Sequence, residues 1–151
     1  MGFKPRFEIA EVEITYKFGK IFSECEKING SSCAYKIGLE ISKDYIEHHE
    51  CFNIILLNQA NHILGVAQIS EGGIAGTFVD IRIVYQKLLK ANAVSFIALH
   101  NHPSGNINPS EADKKLTQKL KAAGETLDIK MLDHIIVTTN AYFSFADEGI
   151  I

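Results

Sequence analysis

Val94-Ser95-Phe96-Ile97-Ala98-Leu99-His100-Asn101-His102-Pro103-Ser104-Gly105 is the stretch on which the reading of this 151-residue chain turns. Residues 94–99 form a short apolar run of the kind that fills a strand buried on both faces. Two histidines follow, at i and i+2. Alternate side chains of an extended chain share a face, so the His100 and His102 imidazoles can point at one spot. Ser104-Gly105 then supplies a turn, and the chain re-enters regular structure at Asn108-Pro109.

How that re-entry is capped bears on the chemistry. With Asn108 as N-cap, Pro109 takes the first helical position and Glu111 falls at N3, a capping-box arrangement. The competing assignment makes Ser110 the cap and Asp113 its partner. Proline's preference for the first position favours Asn108, which leaves the Ser110 hydroxyl free and sets Ser110 and Asp113 three residues apart on one helix face. His100 and His102 at a strand end, with Asp113 on the following helix, make three ligands of the type zinc takes in catalytic sites, the fourth position being left for water. Each piece also has an ordinary structural reading: a hydrogen-bonded surface pair for the histidines, an acid facing the positive end of a helix dipole for Asp113. Their combination, between a buried strand and a capped helix, is what points to a metal.

A zinc–water site needs a group to take the water's proton. Glu50 ranks first, a polar residue opening the apolar run at 51–57. Glu47 is the rival, placed further back in the preceding helix.

The rest of the chain reads as scaffold. Residues 11–18 alternate strictly, with Val12, Ile14, Tyr16 and Phe18 on one side, as a half-buried strand does. Residues 19–30 look like a connector, so 1–30 form an N-terminal strand and linker ahead of one compact domain at 31–151. Ser31 or Ser32 can cap a helix over 33–47 that carries Ala34, Ile37, Ile41 and Tyr45 on one face. Residues 51–57 and 62–69 make a hairpin about a turn at 58–61. The glycine-rich 71–77 is too sparse for a phosphate loop and reads as a loop beside the site. Asp80 caps a helix through Ala91 with Ile81, Val84, Tyr85 and Leu88 as its apolar stripe. The helix after the histidines turns Ala112, Leu116, Leu120, Ala123 and Leu127 inward, and 129–139 with 142–145 closes the chain as a hairpin around Asn140. This order predicts an α/β fold, a mixed sheet with helices packed on it.

Composition limits the possibilities further. Hydrophobic residues make up 46% and charged residues 22%, ordinary for a soluble globular chain, and the net charge of −3 provides no basic field for nucleic acid. Three cysteines, with no Cys-x-x-Cys pair, read as reduced thiols. The N-terminus lacks an apolar signal region, and no apolar run approaches the ~20 residues that span a bilayer. The expectation is a cytoplasmic protein without membrane contact.

Glu50, then His100-x-His102, then Ser110-x-x-Asp113, resembles the JAMM motif of the MPN/JAB metal-dependent hydrolases. His100-Asn101-His102-Pro103-Ser104-Gly105, followed by Pro109-Ser110 and by Leu132-Asp133-His134-Ile135-Ile136-Val137, is similar to the RadC-type branch of that family. The resemblance implies a cytidine-deaminase-like sheet with zinc on His100, His102 and Asp113. It also implies Glu50 as general base and Ser110 as a support for the oxyanion. Asp133-His134 matches the branch as well and is read as support behind the ligands. On this reading the chain is a zinc metalloprotease or isopeptidase acting on a peptide or protein substrate that the sequence does not identify. A second reading makes it a DNA-associated accessory protein of RadC type. Longer proteins of the branch carry an N-terminal helix-hairpin-helix-like region with no counterpart here, and an acidic chain without a basic stripe argues against direct nucleic-acid binding.

Overall fold

The computed structural model describes residues 27–73 and 76–151. The alternating strand expected at 11–18 lies outside the described residues. Within them the chain runs α1 (Ser31–Ser42), β1 (Cys51–Leu57), β2 (Ile63–Glu71), α2 (Ile81–Lys90), β3 (Ser95–Asn101), α3 (Glu111–Leu127), β4 (Lys130–Val137) and β5 (Tyr142–Ser144). The strands form one sheet in the order β2-β1-β3-β4-β5, in which β3 and β4 are parallel and the other neighbours antiparallel. It is the mixed α/β sheet that the sequence predicts.

β3 is the central strand, and all seven of its residues are buried. Val94 falls just outside it and is partly exposed, while the far end runs on through His100 and Asn101, which pair with neighbours on β1 or β4. The two faces of the sheet carry separate cores. Phe52, Ile54, Leu56, Phe96 and Ala98 pack against Val84, Tyr85 and Leu88 of α2 and Leu120 of α3. Ile55, Leu57, Ile97, Leu99, Ile135 and Val137 pack against Cys33, Ala34 and Ile37 of α1. Strand alternation makes this split: even residues of β1 and β3 face α2 and α3, odd ones face α1.

β4 changes that parity in mid-strand. Phe96 pairs with Met131 but Ile97 pairs with Asp133, so Leu132 is an extra residue, a bulge in a parallel pair. Met131 lies in the α2/α3 core; after the bulge the odd residues Ile135 and Val137 lie in the α1 core. His134 therefore faces the same side as Ala98 and His100, stacked on Phe145 with ring centroids 4.8 Å apart and edge-on to Phe52.

Three local expectations are corrected. Neither Ser31 nor Ser32 caps α1: Gly30 occupies the cap without a side-chain hydrogen bond, and Ser31 Oγ donates to Asp147 Oδ2 at 2.6 Å instead. The helix stops at Ser42, whose hydroxyl donates back to the Gly38 carbonyl, so Tyr45 lies in the turns that follow rather than on the helix. α3 keeps Leu116, Leu120 and Ala123 of the predicted face against the core, but its burial is rotated towards Asp113 and Thr117. Its buried line is Asp113, Thr117, Leu120 and Gly124, whereas Ala112 and Leu127 are exposed. Two constraints impose the rotation. Asp113 and Thr117 find polar partners under the helix, and at Gly124 an added Cβ would lie 2.2 Å from the Ile129 carbonyl oxygen. No helix among the described residues is long and apolar enough to cross a membrane.

Candidate metal centre

The site forms where β3 ends and α3 begins. His100 is the sixth residue of β3 and almost wholly buried, at 2% exposure. His102 follows the strand, its backbone N–H donating to the Val137 carbonyl and its own carbonyl accepting from Gly105 in the turn. The two Nε2 atoms stand 2.9 Å apart, as the i, i+2 spacing predicts. Asp113 reaches in from the first turn of α3, with Oδ1 3.2 Å from His100 Nε2 and Oδ2 3.7 Å from His102 Nε2. Glu50, on the residue before β1, places Oε1 3.9 Å from His100 Nε2. One ligand atom from each of these four residues lies within 4.8 Å of all the others. The structure thus brings Glu50, His100, His102 and Asp113 together, with Ser110 alongside; Glu47 is exposed and its carboxylate accepts from Thr139 Oγ1.

The cap of α3 is Ser110 and not Asn108. Asp113 decides it. Asp113 N–H donates to Ser110 Oγ at 3.1 Å, while the Ser110 N–H and Oγ–H both donate to Asp113 Oδ2, at 2.7 and 2.6 Å. The box at Ser110 satisfies two orphan backbone donors and orients the carboxylate, which a box at Asn108 would not do. Pro109 is left just ahead of the cap, and the Ser110 hydroxyl is engaged rather than free.

Glu50 is held by backbone on both sides. Its carbonyl accepts from Gly72 N–H at 2.8 Å and its N–H donates to the Gly73 carbonyl at 3.4 Å. The glycine-rich loop does lie beside the site, and it needs glycine at 72 for a steric reason: an added Cβ would sit 2.1 Å from the Gly76 carbonyl oxygen. From the other direction, Asn101 Nδ2 donates to the Ile46 and His49 carbonyls, and Asn101 Oδ1 accepts from Cys51 N–H.

Charge and burial act against each other here. Burial works to raise the Asp113 pKa, but hydrogen bonds from His100 and His102, with the His100 charge and the Ser110 hydroxyl, hold it well below the usual carboxylate range. Burial likewise works to lower His102, yet hydrogen bonds to Asp113 and the Asn106 carbonyl, together with the Asp113 and Glu50 charges, lift it above its ordinary value. His134, enclosed, is driven well below the ordinary histidine value by burial and then by His100. The centre is acceptor-rich and draws in positive charge.

Residues behind the cluster complete it. His134 Nε2 lies 2.8 Å from His100 Nδ1, and His134 Nδ1 lies 2.7 Å from Thr117 Oγ1. Asp133 braces the C-terminal segment, accepting from Ser144 Oγ, Ala146 N–H and His134 N–H. The sequence singled out Asp133-His134 as support but not Thr117 or the separate role of Asn101. Thr117 could have been found: it is a polar residue four positions after a candidate ligand, on the same helix face.

A second group of potential ligands, His49, Cys51 and Glu71, lies nearby. Its make-up has a simpler account. His49 Nε2 and Glu71 Oε1 lie within hydrogen-bond reach at 2.8 Å, and Cys51 is a buried strand residue whose thiol pKa burial pushes up to about 11.

The chain matches the family model of the RadC-like JAB domain over residues 30–150. It is 49% identical over 125 residues to a UPF0758 protein of Flavobacterium johnsoniae, an alignment covering 83% of this chain and 54% of that protein. A UPF0758 protein of Staphylococcus haemolyticus is 34% identical over 146 residues, covering 97% of this chain and 61% of the relative. One from Thermotoga maritima is 36% identical over 124 residues, covering 82% and 54%. The chain thus spans between half and two thirds of the length of these relatives.

Proposed function

The chain belongs to the RadC-like JAB domain family, and from that premise we propose that it is a zinc-dependent hydrolase of amide bonds, a peptidase or isopeptidase acting on a peptide or protein substrate. The observation that carries this reading is the convergence of Glu50, His100, His102 and Asp113 on one point.

The donor set fits zinc. His102 Nδ1 is 2.6 Å from the Asn106 carbonyl oxygen, which can only accept, so the ring proton is on Nδ1 and a neutral His102 presents a bare Nε2 to the centre. Two imidazoles and one carboxylate are a recurrent catalytic zinc set, and here they are His100, His102 and Asp113. Facing acceptors at 2.9 to 3.9 Å, with two carboxylates among them, are stabilised by a cation. When bound, zinc would lower the pKa of a water towards neutrality and polarise a carbonyl.

The chain's own residues do the rest. Glu50, partly exposed and fixed by Gly72 and Gly73 on one side and the Asn101-braced segment on the other, is the proton carrier. Its carboxylate takes a proton from the attacking water and delivers it to the leaving nitrogen. Asp113 is oriented by Ser110. For the Ser110 hydroxyl to donate to negative charge building on the substrate carbonyl oxygen, its one proton must turn there from Asp113 Oδ2.

The test is zinc content and peptide-library hydrolysis of the purified protein and three variants. Wild type should carry near-stoichiometric zinc, and His102→Ala should lose it. Glu50→Gln should keep zinc while its rate falls ~10²–10⁴-fold. Ser110→Ala should retain zinc with a loss of ~10²–10³. Full activity in Glu50→Gln would remove the central step, and full zinc in His102→Ala would undo the ligand assignment.

A further inference from the structure

We infer that Thr117 and His134 set the tautomer of His100, so that its Nε2 faces the metal centre as a bare lone pair. The inference rests on the zinc reading above for its purpose, though not for its geometry. It follows from counting protons along a buried chain. Thr117 Oγ1 lies 2.7 Å from the Asp113 main-chain oxygen, which can only accept, so the single hydroxyl proton is spent there. The 2.7 Å contact between Thr117 Oγ1 and His134 Nδ1 must then be donated by the ring. His134 is fully buried, between the Phe52 and Phe145 rings, and its ring nitrogens meet Thr117 and His100 with no carboxylate bonded to either. With its proton on Nδ1, the ring offers a lone pair at Nε2. That lone pair faces His100 Nδ1 at 2.8 Å, and His100 must supply the proton. A neutral His100 is left with none on Nε2, the atom aimed at His102 and Asp113; the hydrogen bond from that atom to Asp113 belongs to the doubly protonated ring.

Run backwards, the same contacts would bar a cation. If Thr117 donated to His134, each proton would shift one place along and an N–H of His100 would point into the centre. The main-chain oxygen of Asp113 prevents this. One turn of α3 therefore does two things: Asp113 supplies a carboxylate, and Thr117, four residues on, orders the protons behind the histidine that faces it. Thr117 and His134 are positioning residues, since neither reaches the cluster itself.

Two measurements test this. Long-range ¹H–¹⁵N spectra of the histidine rings report tautomers directly. In metal-free wild type at mildly alkaline pH, His100 and His134 should both be Nδ1–H; an Nε2–H form of either overturns the inference. Zinc affinity is then measured by chelator competition. Thr117→Val, which keeps the volume and removes the hydroxyl, should raise the zinc Kd ~10–100-fold. Thr117→Ser, which restores the hydroxyl, should bring it back to the wild-type value. Equal affinity in the Val and Ser variants would overturn the proposal. Wild type that binds no zinc but shows the stated tautomers would instead break the zinc reading and leave the proton order standing.

Discussion

His100 and Asn101 are adjacent on β3 and both almost fully buried, yet they face opposite sides of the sheet and obey opposite rules. Asn101 is saturated: its oxygen accepts from Cys51 N–H at 2.9 Å, and its nitrogen donates to two carbonyls at 2.8 and 3.0 Å. Every donor there meets an acceptor. Across the sheet, His100 Nε2 looks out on another imidazole nitrogen and two carboxylates. A buried polar group is inexpensive when its partners complement it and costly when they do not. The saturated side locks structure, and the mismatched side asks for an ion. The two are joined, because one of the carbonyls that Asn101 grips belongs to His49, next to Glu50.

The largest effect that would sharpen this contrast is on thermal stability. Zinc at about 1,000 times its Kd should stabilise the protein by ~4 kcal/mol. For a domain of this size that is a Tm rise of roughly 8–16 °C by calorimetry. Asp113→Asn should lose most of the rise. If wild type shows none, the acceptor cluster does not bind zinc.

Asn101→Ala should cost about 2–4 kcal/mol in chemical denaturation, since a backbone N–H and two carbonyls lose their partner. Its zinc-induced Tm rise should nevertheless persist, because none of the proposed ligands lies on that face. An Asn101→Ala protein that is stable but blind to zinc would break the distinction between the two sides.

The smallest effect applies the rule of saturation away from the site. Tyr85 donates its hydroxyl proton to the Leu120 carbonyl at 2.6 Å, and burial pushes its pKa up to about 12. Because the unfolded tyrosine ionises first, near 10, stability should fall as pH rises from there towards 12. Tyr85→Phe should lose about 1 kcal/mol at neutral pH and lack that part of the alkaline decline. An unchanged pH profile in Tyr85→Phe would mean that this phenol is not the group responsible.

The sequence made some of this plain and hid the rest for physical reasons. β1 at Cys51–Leu57 and α2 behind its Asp80 cap were legible because each declares itself locally, through an apolar run or a cap that accepts from Arg82 N–H. The four converging residues were legible because spacing and residue type carry the signal. The face of α3 was legible only in part, at Leu116, Leu120 and Ala123. Asp113 and Thr117 turn inward because partners reach them from β3 and β4, and no local pattern contains those partners. The cap at Ser110 was misplaced for a related reason, since proline statistics say nothing about which carboxylate must be aimed. Asn101 was read only as the residue between two histidines, although strand alternation had already placed it on the other face.

The unpaired Leu132 has a consequence for how much change the chain can accept. Were β4 to pair regularly through Leu132, alternation would send His134 towards α1 and bring Asp133 round behind His100, and an anion would stand where the His134 ring now lies. Deleting Leu132 would do no such thing, because Met131, Asp133 and His134 would then alternate without a bulge and keep the faces they have. The chain can thus lose that residue and keep its centre, whereas a strand that took Leu132 into its ladder would lose the ring behind a histidine more than thirty positions away in sequence.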